Sequence, residues 1–133
     1  MRNNSRKLVY IVDDDPDDRQ IILDAFLENN SEIDYAFIES AEQLLENLNT
    51  DAANHPNLIL LDLNMPGILG LQALKEIRGN KVFSQIPIIV LTTSTLTKDR
   101  KSSYEMGASC FLTKPDAYAS LVEVVNAIVK LWL

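Results

Sequence analysis

What this chain has little of excludes more than its abundant residues suggest. A single cysteine, Cys110, forbids an intramolecular disulfide and any all-cysteine metal site, which suits the reducing cytoplasm. The single histidine, His55, precedes Pro56 in a polar stretch and reads as a surface residue, so no histidine pair is available for metal binding or acid–base work. No apolar run nears membrane-spanning length. Leu8 to Val12 is stopped by Asp13, and the Met1 to Lys7 segment before it is polar and basic, so neither a signal peptide nor a membrane span is expected. Only twelve Lys and Arg stand against nineteen Asp and Glu, a formal charge of −7; direct nucleic-acid binding, which needs clustered positive charge, is not expected. There is no GxxxxGK[ST] phosphate loop and no GxSxG nucleophile turn.

At 133 residues with 47% hydrophobic and 23% charged, the chain suits one domain, taken as 1–133. Five β-type runs are present: Leu8 to Val12, Tyr35 to Ile38, Leu58 to Leu61, Ile88 to Leu91 and Cys110 to Leu112. The first, third and fourth lack apolar/polar alternation, as expected of parallel strands covered on both faces. Helical patterns fall between them. Asp15-Pro16-Asp17-Asp18 supplies a cap, a first-turn proline and negative charge ahead of Ile21, Ile22, Ala25 and Phe26. Ser40 with Gln43 forms a capping box before Leu44, Leu45 and Leu48. A third helix carries Leu71, Leu74 and Ile77 and ends near Gly79, a fourth runs from about Lys98 to Met106 and stops at Gly107, and a fifth from about Ala117 to Leu131. Such alternation predicts an α/β fold of the (βα)5 kind: a doubly wound, parallel, five-stranded sheet in the flavodoxin-like order 2-1-3-4-5.

In such sheets ligands sit beyond the carboxyl ends of the strands. Asp13, Asp14 and Asp15 follow the first strand, Asp62 the third, Thr92 and Thr93 the fourth, Thr113 and Lys114 the fifth. One Asp after a strand is commonly a cap or turn former; complementary groups at four strand ends are not explained that way. Strands 1 and 3 are neighbours in this order, so Asp13, Asp14 and Asp62 converge. Packed carboxylates repel unless a cation intervenes, and all-oxygen ligation favours a hard divalent ion such as Mg²⁺. A nucleophilic carboxylate, a metal, a lysine and a threonine hydroxyl are the parts that phosphoryl transfer needs.

Val12-Asp13-Asp14, Leu60-Leu61-Asp62-Leu63-Asn64-Met65-Pro66-Gly67, Val90-Leu91-Thr92-Thr93, Gly107-Ala108 and Lys114-Pro115 together resemble the receiver domain of two-component response regulators. The spacing, 48 residues from Asp14 to Asp62, 30 on to Thr92 and 22 on to Lys114, makes the match specific. The resemblance implies that Asp62 is the phosphoacceptor, that Asp13, Asp14 and Asp62 with the backbone carbonyl of Asn64 hold Mg²⁺ (or Mn²⁺ in its place), and that Thr92 and Lys114 contact the phosphoryl oxygens. It implies a switch between Thr92 and Phe111, an aromatic that turns inward on activation, and a cis peptide at Lys114-Pro115. The implied protein is a stand-alone, chemotaxis-regulator-like receiver without an output domain. It would be phosphorylated by a sensor histidine kinase or serve a histidine phosphotransfer protein, and its acid-rich Asp13 to Asp18 segment resembles small receivers that accompany phytochrome-type kinases. Leu69, where the family often has Asp, is a departure outside the phosphate shell, and Asp15 before Pro16 is a cap as readily as a tuner of the metal.

Two rival readings fit the residues less well. Asp13, Asp15 and Asp17 fit positions 1, 3 and 5 of a calcium loop, but Asp18 replaces the required glycine and Asp24 the required glutamate. A haloacid-dehalogenase-type phosphatase shares the Asp nucleophile and Mg²⁺, yet leaves Asp62 to Pro66 without a role. Finally, apolar residues of the last helix exceed one stripe. With Leu121, Val124, Val125 and Ile128 toward the core, Val122, Val129 and Leu133 are expected exposed. The resemblance then points to a homodimer or partner contact through the face of the fourth helix, fifth strand and fifth helix.

Overall fold

A computed structural model describes residues 6–50, 54–63 and 70–133. Strands and helices alternate along it: β1 (Lys7–Val12), α1 (Pro16–Leu27), β2 (Ile33–Ile38), α2 (Ala41–Thr50), β3 (Leu58–Leu61), α3 (Gly70–Arg78), β4 (Ile88–Thr92), α4 (Thr97–Glu105), β5 (Cys110–Thr113) and α5 (Tyr118–Trp132). The strands form one sheet in the order β2-β1-β3-β4-β5, all neighbours parallel. Every residue of β3 and β4 is buried, which is why their sequences show no alternation, whereas β2 at one edge mixes buried and half-exposed positions.

Period two along the strands divides the core into two layers. Leu8, Tyr10 and Val12 pack with α2, α3, Phe83 and Phe111 on one face; Val9 and Ile11 pack with Ile22, Ala25 and Phe26 of α1 and Leu121, Val125 and Ile128 of α5 on the other. Helix α1 begins as its sequence dictates. Asp15 accepts backbone N–H bonds from Asp17 and Asp18, with Pro16 opening the helix. The box ahead of α2 is present but displaced by one residue on its return arm: Ser40 Oγ accepts from Gln43 N at 3.0 Å, while Gln43 Oε1 accepts from Glu39 N at 2.8 Å. Among the described residues no helix is long and apolar enough to cross a membrane.

Two expectations are corrected. Val122, Val129 and Leu133 are not exposed; they are half-buried against the α1/α5 layer, and Val124 is half-buried, not core. The cause is that α1 and α5 lie side by side on one face, tied by Asn30 Nδ2 donating to Asn126 Oδ1 at 3.1 Å, so the surplus stripe of α5 covers its neighbour helix. The large apolar side chains of α5 that remain exposed are Leu131 and, in part, Tyr118 and Trp132. The Lys114-Pro115 bond is trans, as no described peptide is cis; it keeps the isomer that an X-Pro amide intrinsically favours.

Candidate functional site

Backbone ladders carry on past the strand ends and fix the site. Val12 pairs in register with both Ile38 and Leu61, and the next residues continue the pattern. Asp13 N donates to Ile38 O at 3.0 Å, Asp62 N to Val12 O at 3.0 Å, and Lys114 N to Thr92 O at 2.7 Å. Three functional side chains are thus held by main-chain bonds on rigid strands.

Asp13, Asp62 and Thr92 are buried, which polar residues tolerate only with partners. Lys114 supplies one to each of the two carboxylates. Its Nζ donates to Asp13 Oδ2 at 2.9 Å, to Asp62 Oδ2 at 3.3 Å and to Asp18 Oδ2 at 3.3 Å. Asp13 is held further by the Asp15 N–H at 3.0 Å, and its carbonyl accepts from Arg19 Nη1 at 2.8 Å. Burial pushes the Asp13 carboxyl above its usual 3.8, against the pull of the Asp15 N–H and of Lys114. For Lys114, burial opposes the charge, but the hydrogen bond to Asp13 and the charges of Asp62, Asp13 and Asp18 prevail and raise its pKa, so the ammonium persists at neutral pH. Thr92 Oγ1 accepts from Ser94 N at 3.4 Å. Phe111 is buried in the α2/α3 layer, and its N–H donates to Tyr104 Oη at 3.1 Å, which covers part of the open edge of β5.

Oxygens of Asp13, Asp18 and Asp62 lie within 4.8 Å of one another. Three carboxylates against one ammonium leave two negative charges, and the donors are all oxygen. That set fits a hard divalent cation. Asp14 is exposed at the rim, outside this group of three; Asn64 lies outside the described residues.

A profile of the response regulator receiver domain matches residues 9–126. The chain belongs to this family. The receiver is 33% identical over 137 aligned positions to response regulator Rcp1 of Synechocystis, across 98% of this chain and 92% of that protein. Its fold superimposes on the phosphorylated cyanobacterial phytochrome response regulator RcpA with a TM-score of 0.88 at 28% identity, covering 96% of this receiver and 94% of that chain. The Mn²⁺-bound form of Rcp1 gives 0.84 at 30% identity with the same coverage. Receiver domains bind Mg²⁺ or Mn²⁺ at an acidic pocket, and this pocket fits.

Sequence reasoning missed one member of the site. In the sequence Asp18 reads as part of the negative first turn of α1, and it does occupy that turn. A helical Cβ tilts toward the helix N-terminus, so a carboxylate on the first turn of a helix that follows a strand leans back over the strand ends. That direction was the available signal.

Proposed function

We propose that this receiver is a phosphorylation-dependent signalling switch. Asp62 accepts a phosphoryl group from the phosphohistidine of a sensor histidine kinase or a histidine phosphotransfer protein. The phosphorus–nitrogen bond breaks as a carboxylate oxygen of Asp62 bonds to phosphorus, and the departing imidazole takes a proton from water. The observation that carries this reading is the buried Asp62 carboxylate 3.3 Å from Lys114 Nζ, with Asp13 2.9 Å from the same ammonium. Asp13, Asp14 and Asp62 with the Asn64 carbonyl would hold Mg²⁺ or Mn²⁺, which supplies charge neutralisation when bound. Lys114 pairs with the phosphoryl oxygens and Thr92 donates its hydroxyl to them, so the chain's part is positioning and charge compensation. The protein works in the cytoplasm, through protein contacts and without direct contact to nucleic acid.

The test is labelling by acetyl phosphate. One phosphoryl group per chain is expected with Mg²⁺ and none in EDTA; sustained turnover of phosphate esters would instead mark a phosphatase.

Thr92 and Phe111 form the switch in this reading: a hydroxyl drawn to the phosphoryl group vacates space that Phe111 fills. Phe111 lies inside the core at 4% exposure, so the motion consists of leaving and re-entering that place. Crystal structures of the free and beryllofluoride-bound protein should differ at Phe111, and an identical Phe111 in both removes the mechanism.

Homodimerisation through α4, β5 and α5 goes with this function. Its support is that Leu96, Tyr104 and Leu131 remain exposed, Leu131 at 76%, while α4 buries only Ser103. Leu131→Glu should abolish any phosphorylation-dependent gain in sedimentation coefficient and spare Asp62 labelling; an unchanged gain puts the interface elsewhere.

A further inference from the structure

We infer that Asp18 is a positioning residue that gives Lys114 an alternative seat, holding its ammonium at the rim of the site when Asp13 and Asp62 are engaged in holding a divalent cation. This rests on the function proposed above and concerns a residue that its four strand ends do not include.

Lys114 stands at the centre of the acidic cluster. Its Nζ is shared by three carboxylates, Asp13 at 2.9 Å and Asp62 and Asp18 each at 3.3 Å. They are unequal partners. Side-chain exposure is 2% for Asp13 and 9% for Asp62 but 43% for Asp18, so the first two hold the ammonium where water screens little, and Asp18 holds it at the solvent boundary. Of the three clustered carboxylates, the function proposed above gives the metal to the two buried ones, Asp13 and Asp62, and leaves the more exposed Asp18 outside its ligand set. When they are so engaged, Lys114 loses both partners and faces a like charge, and of the three carboxylates only Asp18 is left to it. Nζ already lies at hydrogen-bonding distance from Asp18, so it has only to rotate away from the strand ends.

A second feature provides the space. A cavity of about 370 Å³ opens beside the lysine, lined by Asp18, Ile21 and Ile22 of α1 and by Lys114, Pro115 and Tyr118 among others. Asp18 and Lys114 share its wall, so the displaced ammonium moves into room that exists. The seat is also weak enough to be left again, because a pair this exposed is held loosely. That suits a lysine that must next turn to the phosphoryl group on Asp62. Asp18 itself is kept in position by its helix, with its backbone N–H donating to the Asp15 side chain at 3.4 Å.

A mutant cycle read by calorimetric Mg²⁺ titration of the full chain tests this. Lys114→Ala alone should bind Mg²⁺ more tightly, since a competing cation is gone. Asp18→Asn should weaken binding about fivefold in the native background but less than about twofold when Lys114 is already Ala, a coupling of the size that contacting residues show. Asp18→Glu, whose longer carboxylate still reaches Nζ, should restore most of the affinity. Equal weakening by Asp18→Asn in both backgrounds would overturn the inference and make Asp18 a metal ligand or a general source of negative field. Native protein that takes up label on Asp62 but gives an additive cycle sinks only the role of Asp18, whereas native protein that binds no Mg²⁺ sinks the proposed function with it.

Discussion

Asp62→Asn is expected to take up no phosphoryl group from acetyl phosphate, with or without Mg²⁺, as read by intact mass. The amide has nearly the shape of the carboxylate but is neutral and a far weaker nucleophile, so the attacking oxygen is lost while the packing at the end of β3 is kept. Asp62 N still donates to Val12 O, because that bond belongs to the backbone. The fold should therefore survive. Removing one of the clustered carboxylates also relieves repulsion between Asp13 and Asp62, a pair whose mutual charge helps to raise the Asp13 pKa. The variant's melting temperature should accordingly equal or exceed that of the native protein. Label that persists in Asp62→Asn would move the nucleophile to another carboxylate, with Asp13 the first candidate because it is the other buried one among the described residues.

Much of the site was legible because its signals are local and its geometry is topological. Asp13, Asp62 and Thr92 stand directly after apolar runs and Lys114 one residue beyond another, and a parallel sheet brings such positions to one edge whatever the helices do. The cap of α1 was legible for the same reason, since Asp15 and Pro16 act on their own neighbours. What stayed hidden depended on partners far along the chain. The apolar excess of α5 was visible in the sequence, but whether Val122 and Val129 met solvent or another helix depended on α1, about a hundred residues earlier. Periodicity gives a helix its stripes without saying which neighbour lies against each. Asp18 was hidden differently: its local reading as first-turn charge was correct, and so its second role, toward a lysine 96 residues on, had no separate mark.

Arg78 was wholly hidden, and its substitution should produce the largest loss of stability outside the apolar core. In the sequence it is an ordinary last-turn cation of α3 before Gly79. In the structure it is half-buried and joins three segments. Nε donates to Gly107 O at 2.7 Å, Nη1 to Ile86 O at 2.7 Å and Ser84 O at 3.2 Å, and Nη2 to Ser109 Oγ at 3.1 Å. Gly107 accommodates the stem: its φ is +108°, and a Cβ there would collide with Arg78 Cγ. The contact thus depends on a glycine twice over, for its backbone and for its missing side chain. Arg78→Ala leaves the partly buried carbonyls of Gly107 and Ile86 without their donor, at a cost of roughly 3 kcal/mol in urea denaturation. Arg78→Lys should recover less than half of this, because a point ammonium cannot span acceptors that a planar fork reaches at once. The effect reaches the site through β5, which leaves the Gly107 turn, carries Phe111 and delivers Lys114. Hydrogen exchange should therefore accelerate at the β5 amides in Arg78→Ala, while Mg²⁺ affinity, set at the opposite end of the strand, holds within about twofold. A loss below about 1 kcal/mol would mean that water replaces the guanidinium at these carbonyls and that the turn stands without it.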